Sequence, residues 1–367
     1  VLTDLDETLF HQQPQPFAVV ATSDHRFFDR YWFCGAAPDG GTAFFAGFGR
    51  YPNMGTRDAF LSVLRGRVQH NLRVAAQPSP RDTGMSLLGG SVGSAAKVEV
   101  HEPYRRLALS YDAPEAGIGA RLEFRTDYPP HLERHHVEIR DSRVLQDQQR
   151  YVQVGRWDGW ITVDGRRQEV EGWWGDRDHA WGVRVDVGGL EPPDMSERVG
   201  SLTVWCSFST ASLQGLFQLR EYADGRPAYI DGAVCRAADP SAPIRVTGIE
   251  HEIEYAPGTK NYRHARLRVR LEDGHTVKVE AEPLTERAWA GRGGGYSRGF
   301  ADGRGFGARR GEVVEHDVYD LTDPVRVVLE GAAVPAGHRE QLARVSVDGE
   351  PGIAHLPIMD RSGRLPG

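Results

Sequence analysis

The chain has 367 residues, with 44 Lys and Arg against 51 Asp and Glu and a net charge of -7, and its pI is near 6.1. Its basic residues alternate with acids, which excludes the concentrated basic face that a nucleic-acid partner needs. No window approaches the roughly 18 apolar residues of a spanning helix, so no stable membrane insertion is expected. Three cysteines, Cys34, Cys206 and Cys235, lie far apart without CxxC spacing; that argues against a structural zinc or a disulfide framework and for a reducing, cytoplasmic setting.

Short alternating runs closed by Asp-Gly dominate, and this is the strongest local mark of a tight hairpin. The first such turn is Asp39-Gly40. Tyr51 and Asn53 then flank Pro52 at an expected strand end, where a hydroxyl and an amide are candidates to hold a ligand oxygen. Residues 57–73 carry Phe60, Leu61, Val63, Leu64 and Val68, but Arg65-Gly66 interrupts any helical stripe, so a hairpin is preferred. Trp157 and Trp160 bracket Asp158-Gly159 and are expected to pack a hairpin turn, followed by another at Asp164-Gly165.

The most unusual segment runs from Gly172 through Trp173 and Trp174 to Arg184. As a strand, it places Arg177, His179, Trp181, Val183, Val185 and Val187 on one face, with Asp178, Ala180, Gly182, Arg184 and Asp186 on the other. Turned inward, the first face puts a guanidinium, an imidazole and an indole at the end of an apolar wall, as in a ligand site. His179 is then the proton carrier, Asp178 and Asp176 are the candidate acids, and Arg177 orients an acid or a substrate oxygen. The alternative is a buried hydrogen-bonded knot that pins two lobes together. A metal is not expected, because no second histidine lies at a ligand spacing and His135-His136 point to opposite faces of a strand.

Residues 188–200 form the expected linker, dividing the chain into domains 1–187 and 201–367. Further turns lie at Asp224-Gly225, Asp273-Gly274 and Asp348-Gly349. Between them, Ala265, Leu267, Val269 and Leu271 share one face and Arg266, Arg268 and Arg270 the other, a half-buried antiparallel strand. The glycine-rich residues 291–311 lack a strand-then-helix setting, so they read as a mobile loop over a cavity mouth, with Tyr296 closing over a ligand. The pattern predicts an all-β protein with two antiparallel β-barrel or sandwich domains.

The run Arg177-Asp178-His179-Ala180-Trp181-Gly182-Val183-Arg184 resembles the signature of the carotenoid 1,2-hydratase (hydroxyneurosporene synthase) family. That family falls in a wider lipocalin-like superfamily with bacterial terpenoid cyclases and fungal Diels–Alderase-type proteins. The opening, Asp6-Glu7-Thr8-Leu9-Phe10-His11-Gln12 with Gly49-Arg50-Tyr51-Pro52-Asn53, and Arg150–Gly155 are similar too. The resemblance implies two lipocalin-like domains with a pocket between or within them, lined by His179 and Trp181, and makes Glu7 and His11 pocket candidates. In that family a Tyr-x-Asp pair on a following strand protonates an isoprenoid double bond. Here the only nearby match is Tyr222-Ala223-Asp224, whose aspartate lies in a turn.

The expected function is therefore a cofactor-independent enzyme acting on a hydrophobic, alkene-bearing terpenoid-like substrate. Proton-initiated hydration, dehydration, isomerisation or cyclisation would proceed through a cation stabilised by Trp181. A non-catalytic carrier of a lipid or terpenoid is the alternative. The expected partner is a hydrophobic small molecule, and the oligomeric state stays open between a monomer and a homodimer.

Overall fold

The computed structural model describes residues 2–78, 84–88, 94–191, 202–335 and 339–361. Apart from a few short 3₁₀ turns, its regular elements are antiparallel strands. The first four are β1 (Phe27–Ala36), β2 (Thr42–Tyr51), β3 (Thr56–Arg65) and β4 (Val68–Ala76). β3 and β4 pair from Arg57↔Ala76 to Arg65↔Val68, so residues 57–73 are a hairpin, as the interrupted stripe predicted. The Asp-Gly pairs at 39, 164, 224, 273 and 348 all lie between consecutive paired strands. At Asp348-Gly349 both residues have positive φ, 49° and 89°, the backbone of a type I′ turn whose twist matches the strands it joins.

The second half of the chain closes on itself. Eight strands, from Leu202–Ser209 round to Glu350–His355, form a barrel in which the last pairs back onto the first. Ala265, Leu267, Val269 and Leu271 fill its interior, while Arg266, Arg268 and Arg270 stay outside beside Glu250, Glu252 and Glu254. The N-terminal sheet curls round a second core that includes Phe33, Phe44, Leu61, Leu109 and Trp157. Its middle consists of two long strands, Arg143–Val163 and Arg166–Arg184, the latter pairing with β1.

Three expectations change. Asp158-Gly159 is not a turn but a bulge within Arg143–Val163, where the register shifts between Trp157 and Gly159. The bulge lets Trp157 point into the core and donate its indole N–H to the Cys34 carbonyl at 2.8 Å. The division at residue 187 is crossed, because Val313–Asp320 adds to β4 and extends the N-terminal sheet. Residues 192–201 of the expected linker lie outside the described residues. The glycine-rich stretch is packed rather than a loose lid: Gly293 and Gly294 are buried, and a Cβ on Gly293 would lie 2.0 Å from the Asn71 side-chain oxygen. Next to it, Trp289 stacks on Phe45 and Phe60.

Trp173 and Trp174 point to opposite sides of their strand. Trp173 enters the N-terminal core, and Trp174 joins Trp32, Leu284 and Leu342 in the seam between the lobes, its indole 2.9 Å from the Ser209 hydroxyl.

Candidate active site between the lobes

The outer faces of three adjacent strands make the floor of a cavity of about 680 Å³. Their register arranges the floor in rows. Trp32 lies opposite Asp178, with Val152 beyond it; Arg30, Ala180 and Arg150 form the next row; Phe28, Gly182 and Gln148 form the third. Ala180 is small, so the guanidiniums on either side of it reach into the space above. The C-terminal barrel supplies a roof that includes Thr203, Trp205, Gln218 and His355, and Tyr296 and Glu340 stand at the sides.

Strand alternation puts the other face of the signature strand away from this cavity, which corrects the face assignment made from the sequence. Arg177 is buried towards the N-terminal core, donates to Gln153 and lies over the Phe124 and Tyr151 rings, so it orients neither Asp176 nor Asp178. His179 pairs with Asp29 at 2.6 Å and packs against Tyr31 and Trp181. Neither His179 nor Trp181 lines the cavity. Tyr51 is a layer deeper, donating to Asp58 at 2.9 Å behind Phe306. Asn53 donates to the Thr22 and Asp24 carbonyls and holds a turn. Glu7 is exposed at the end of the turn Asp4–Glu7, and His11 pairs with Asp6 and packs on Phe17; both are outside the cavity. Of the residues that the sequence pointed to, Asp178 and Tyr296 line it, and Asp176 stands directly behind it.

The histidine that does face the cavity is His355, from the other lobe. Its ring lies between Trp32, stacked at 4.8 Å, and Trp205, edge-on at 5.0 Å. One ring nitrogen meets Glu340 at 2.9 Å and the other Asp176 at 3.3 Å. Burial would discharge the imidazole, but the two carboxylates outweigh it and push its pKa up to about 9. The ring is therefore an imidazolium at neutral pH, donating to both acids. Asp176 also accepts from the Ser207 hydroxyl and from the Cys34 thiol at 2.8 Å.

Cys34, Asp176 and His355 bring a sulfur, an oxygen and a nitrogen within 4.8 Å of one another. Burial and the Asp176 charge push the thiol pKa well up, so Cys34 acts as a hydrogen-bond donor in this arrangement, whereas a metal ligand would need the thiolate.

Asp178 is the carboxyl on the cavity floor, beneath Glu340 at the side. Burial is the main cause that raises its pKa to about 7, with Arg150, 3.8 Å away, pulling it down and Glu133 and Asp176 adding to the rise. Arg150 spends most of its charge on Glu133 at 2.7 Å. The site thus holds an acid whose pKa lies near neutrality in the same cavity as the His355–Glu340 pair.

A family model matches residues 2–354 of this chain. The chain belongs to the Family of unknown function (DUF8625). No curated protein matches this DUF8625 chain by sequence. Solved structures share its fold at low identity. A Nitrosomonas europaea protein assigned as an AttH superposes with a TM-score of 0.55 at 14% identity, covering 94% of this chain and 95% of that one. Kievitone hydratase from Nectria haematococca gives 0.52 at 8% identity, with 92% and 91% covered. CghA bound to Sch210972 gives 0.50 at 11%, with 92% and 90% covered. The lipocalin-like fold expected from the signature is the fold found, whereas the matching family is DUF8625 rather than the carotenoid 1,2-hydratases.

The cavity wall also departs from the apolar one expected: arginines outnumber the aliphatic side chains on the floor. Sequence reasoning missed His355, Glu340 and Arg30. His355 follows Ile353-Ala354 on an ordinary-looking strand, and its only signal is that an imidazole there alternates onto the same side as Ile353.

Proposed function

We propose that this protein is an enzyme of the hydratase or cyclase type that binds an unsaturated organic substrate in the cavity between its lobes. The observation that carries the reading is the cavity-facing carboxyl of Asp178, its pKa raised by burial to about 7, in the same cavity as the Glu340–His355 pair. Asp178 gives its proton to a substrate carbon, and Glu340, which accepts a hydrogen bond from His355, takes a proton from the attacking water or from the substrate. Both carboxyls reset by exchange with solvent. Two of the neighbours in fold, one of them a hydratase, support this class. A carrier has no use for an acid of near-neutral pKa and a histidine-paired carboxyl in one cavity.

The test is incubation with a panel of conjugated and isolated alkenes in deuterium oxide and heavy-oxygen water, read by mass spectrometry. The native protein is expected to incorporate label, and the Asp178→Asn variant to lose at least about 100-fold of that rate. Label incorporation that survives in Asp178→Asn would overturn the assignment, as would a complete absence of turnover across the panel.

A further inference from the structure

We propose that Arg30 and Arg184 form a clamp for a delocalised oxyanion, so that the substrate class is an organic anion, a carboxylate or enolised dicarbonyl conjugated to the reacting double bond. The inference rests on the reading of this cavity as the active site and adds to it the chemical class of substrate.

Arg30 projects from the middle of β1 into the cavity and is 4% exposed. Its Nε and Nη1 have no hydrogen-bond partner, and its Nη2 has only a long contact, 3.5 Å, to the Gly294 carbonyl. The Arg184 Nε is likewise buried without a partner. Neither guanidinium makes an ion pair with a carboxylate among the described residues. Both instead lie over the same two rings. Arg30 is 4.5 Å from the centroid of Phe306 and 5.0 Å from that of Tyr296, and Arg184 is 5.5 and 6.0 Å from them.

A buried, unpaired cation is costly, and removing a guanidinium from water without an anion is not offset by two aromatic faces. The other floor arginine, Arg150, shows the alternative, since Glu133 neutralises it. The carboxylates that act on Arg30 at longer range are Asp58, already accepting from the Tyr51 hydroxyl and the Gly307 N–H, and Asp178, whose raised pKa leaves it a weak counterion. The planar forks of Arg30 and Arg184 therefore await a planar anion, the geometry in which guanidinium binds most strongly. Phe306 and Tyr296 hold both forks in place from one side.

This field also selects the reaction path. A carbocation beside two guanidiniums that make no ion pair is disfavoured, which argues against the cation route expected from the sequence. An enolate is favoured. In a hydration, water bonds to the carbon β to the carbonyl and gives its proton to Glu340. The electron pair of the double bond moves onto the carbonyl oxygen between the arginines. As that pair returns, Asp178 protonates the α carbon, so that H and OH have added across the bond.

The experiment uses the full chain and tryptophan fluorescence, since Trp32 and Trp205 line the cavity. Four probes are titrated: cinnamate, ionised dimedone, neutral cinnamamide and inorganic phosphate. The two organic anions are expected to bind at least about tenfold more tightly than cinnamamide and phosphate. Arg30→Gln and Arg184→Gln should each abolish that preference, and Arg30→Lys should restore part of it. Arg184 is half-buried, so its variant stays informative if Arg30→Gln does not fold. Equal binding of cinnamamide and cinnamate by the native protein would overturn the clamp, and so would phosphate competing as well as the organic anions. Cinnamate binding against dimedone binding separates a carboxylate from an enolate. Label incorporation lost with anion preference intact would refute acid catalysis alone, while neutral preference with label incorporation intact would refute the clamp alone.

Discussion

Asp178 and His355 carry opposite protonation logic within one cavity. The Asp178 carboxyl is raised to about 7, so its acid form is present below that pH and lost above it. Turnover that depends on this proton should fall as pH rises through about 7, and a pH–rate profile that is flat from 6 to 8 would contradict the assignment. His355 is raised from an ordinary 6.5 to about 9. A raised imidazole stabilises the fold fully below 6.5 and loses that contribution as pH rises through about 9. The size is on the order of 3 kcal/mol for the intact triad of Asp176, His355 and Glu340. Urea melts at pH 6 and pH 10 should therefore differ more in the native protein than in His355→Gln. An equal difference in both would remove His355 from the stability argument. The role of His355 is not legible in the sequence, because its charge depends on partners 15 and 179 positions away.

At the scale of the element, the strand Arg166–Arg184 does two jobs with its two faces. Its eight-residue signature is readable as a strand and as the most unusual segment of the chain, and the period-two division of its residues is the one the structure shows. What alternation alone does not say is which face looks into a cavity, because both faces here are at least partly covered, one by the N-terminal core and one by the seam. Gly175 shows how tightly this strand is held. A Cβ there would lie 2.3 Å from the Cys34 carbonyl oxygen and 2.2 Å from the Trp157 indole nitrogen. Gly175→Ala is expected to cost about 2–3 kcal/mol by overpacking, measured by chemical denaturation, and would also disturb the neighbouring Asp176. A loss below about 0.5 kcal/mol would mean that the two strands separate more easily than their packing implies.

For the whole molecule, the strands that cross between the halves make the two lobes interdependent. Val313–Asp320 covers the edge of β4, and Trp174 and Leu342 meet in the seam. A fragment ending at residue 191 leaves that edge and Trp174 exposed, so it should aggregate or remain partly unfolded, and the intact chain should melt in one cooperative transition. A monomeric, cooperatively folded fragment in circular dichroism and light scattering would show that the N-terminal lobe is autonomous. The sequence by itself determined the all-β class, the five Asp-Gly hairpins, the hairpin at 57–73 and the importance of the signature strand. These follow from local rules: turn dihedrals, alternation and the absence of a helical stripe, each acting within about ten residues. The tertiary structure alone decided that Asp178 rather than His179 faces the cavity, that His355 and Glu340 join it, and that its wall is cationic. Those facts arise where two lobes exclude water between them, and burial and charge pairing across such a seam are properties of the packed chain as a whole.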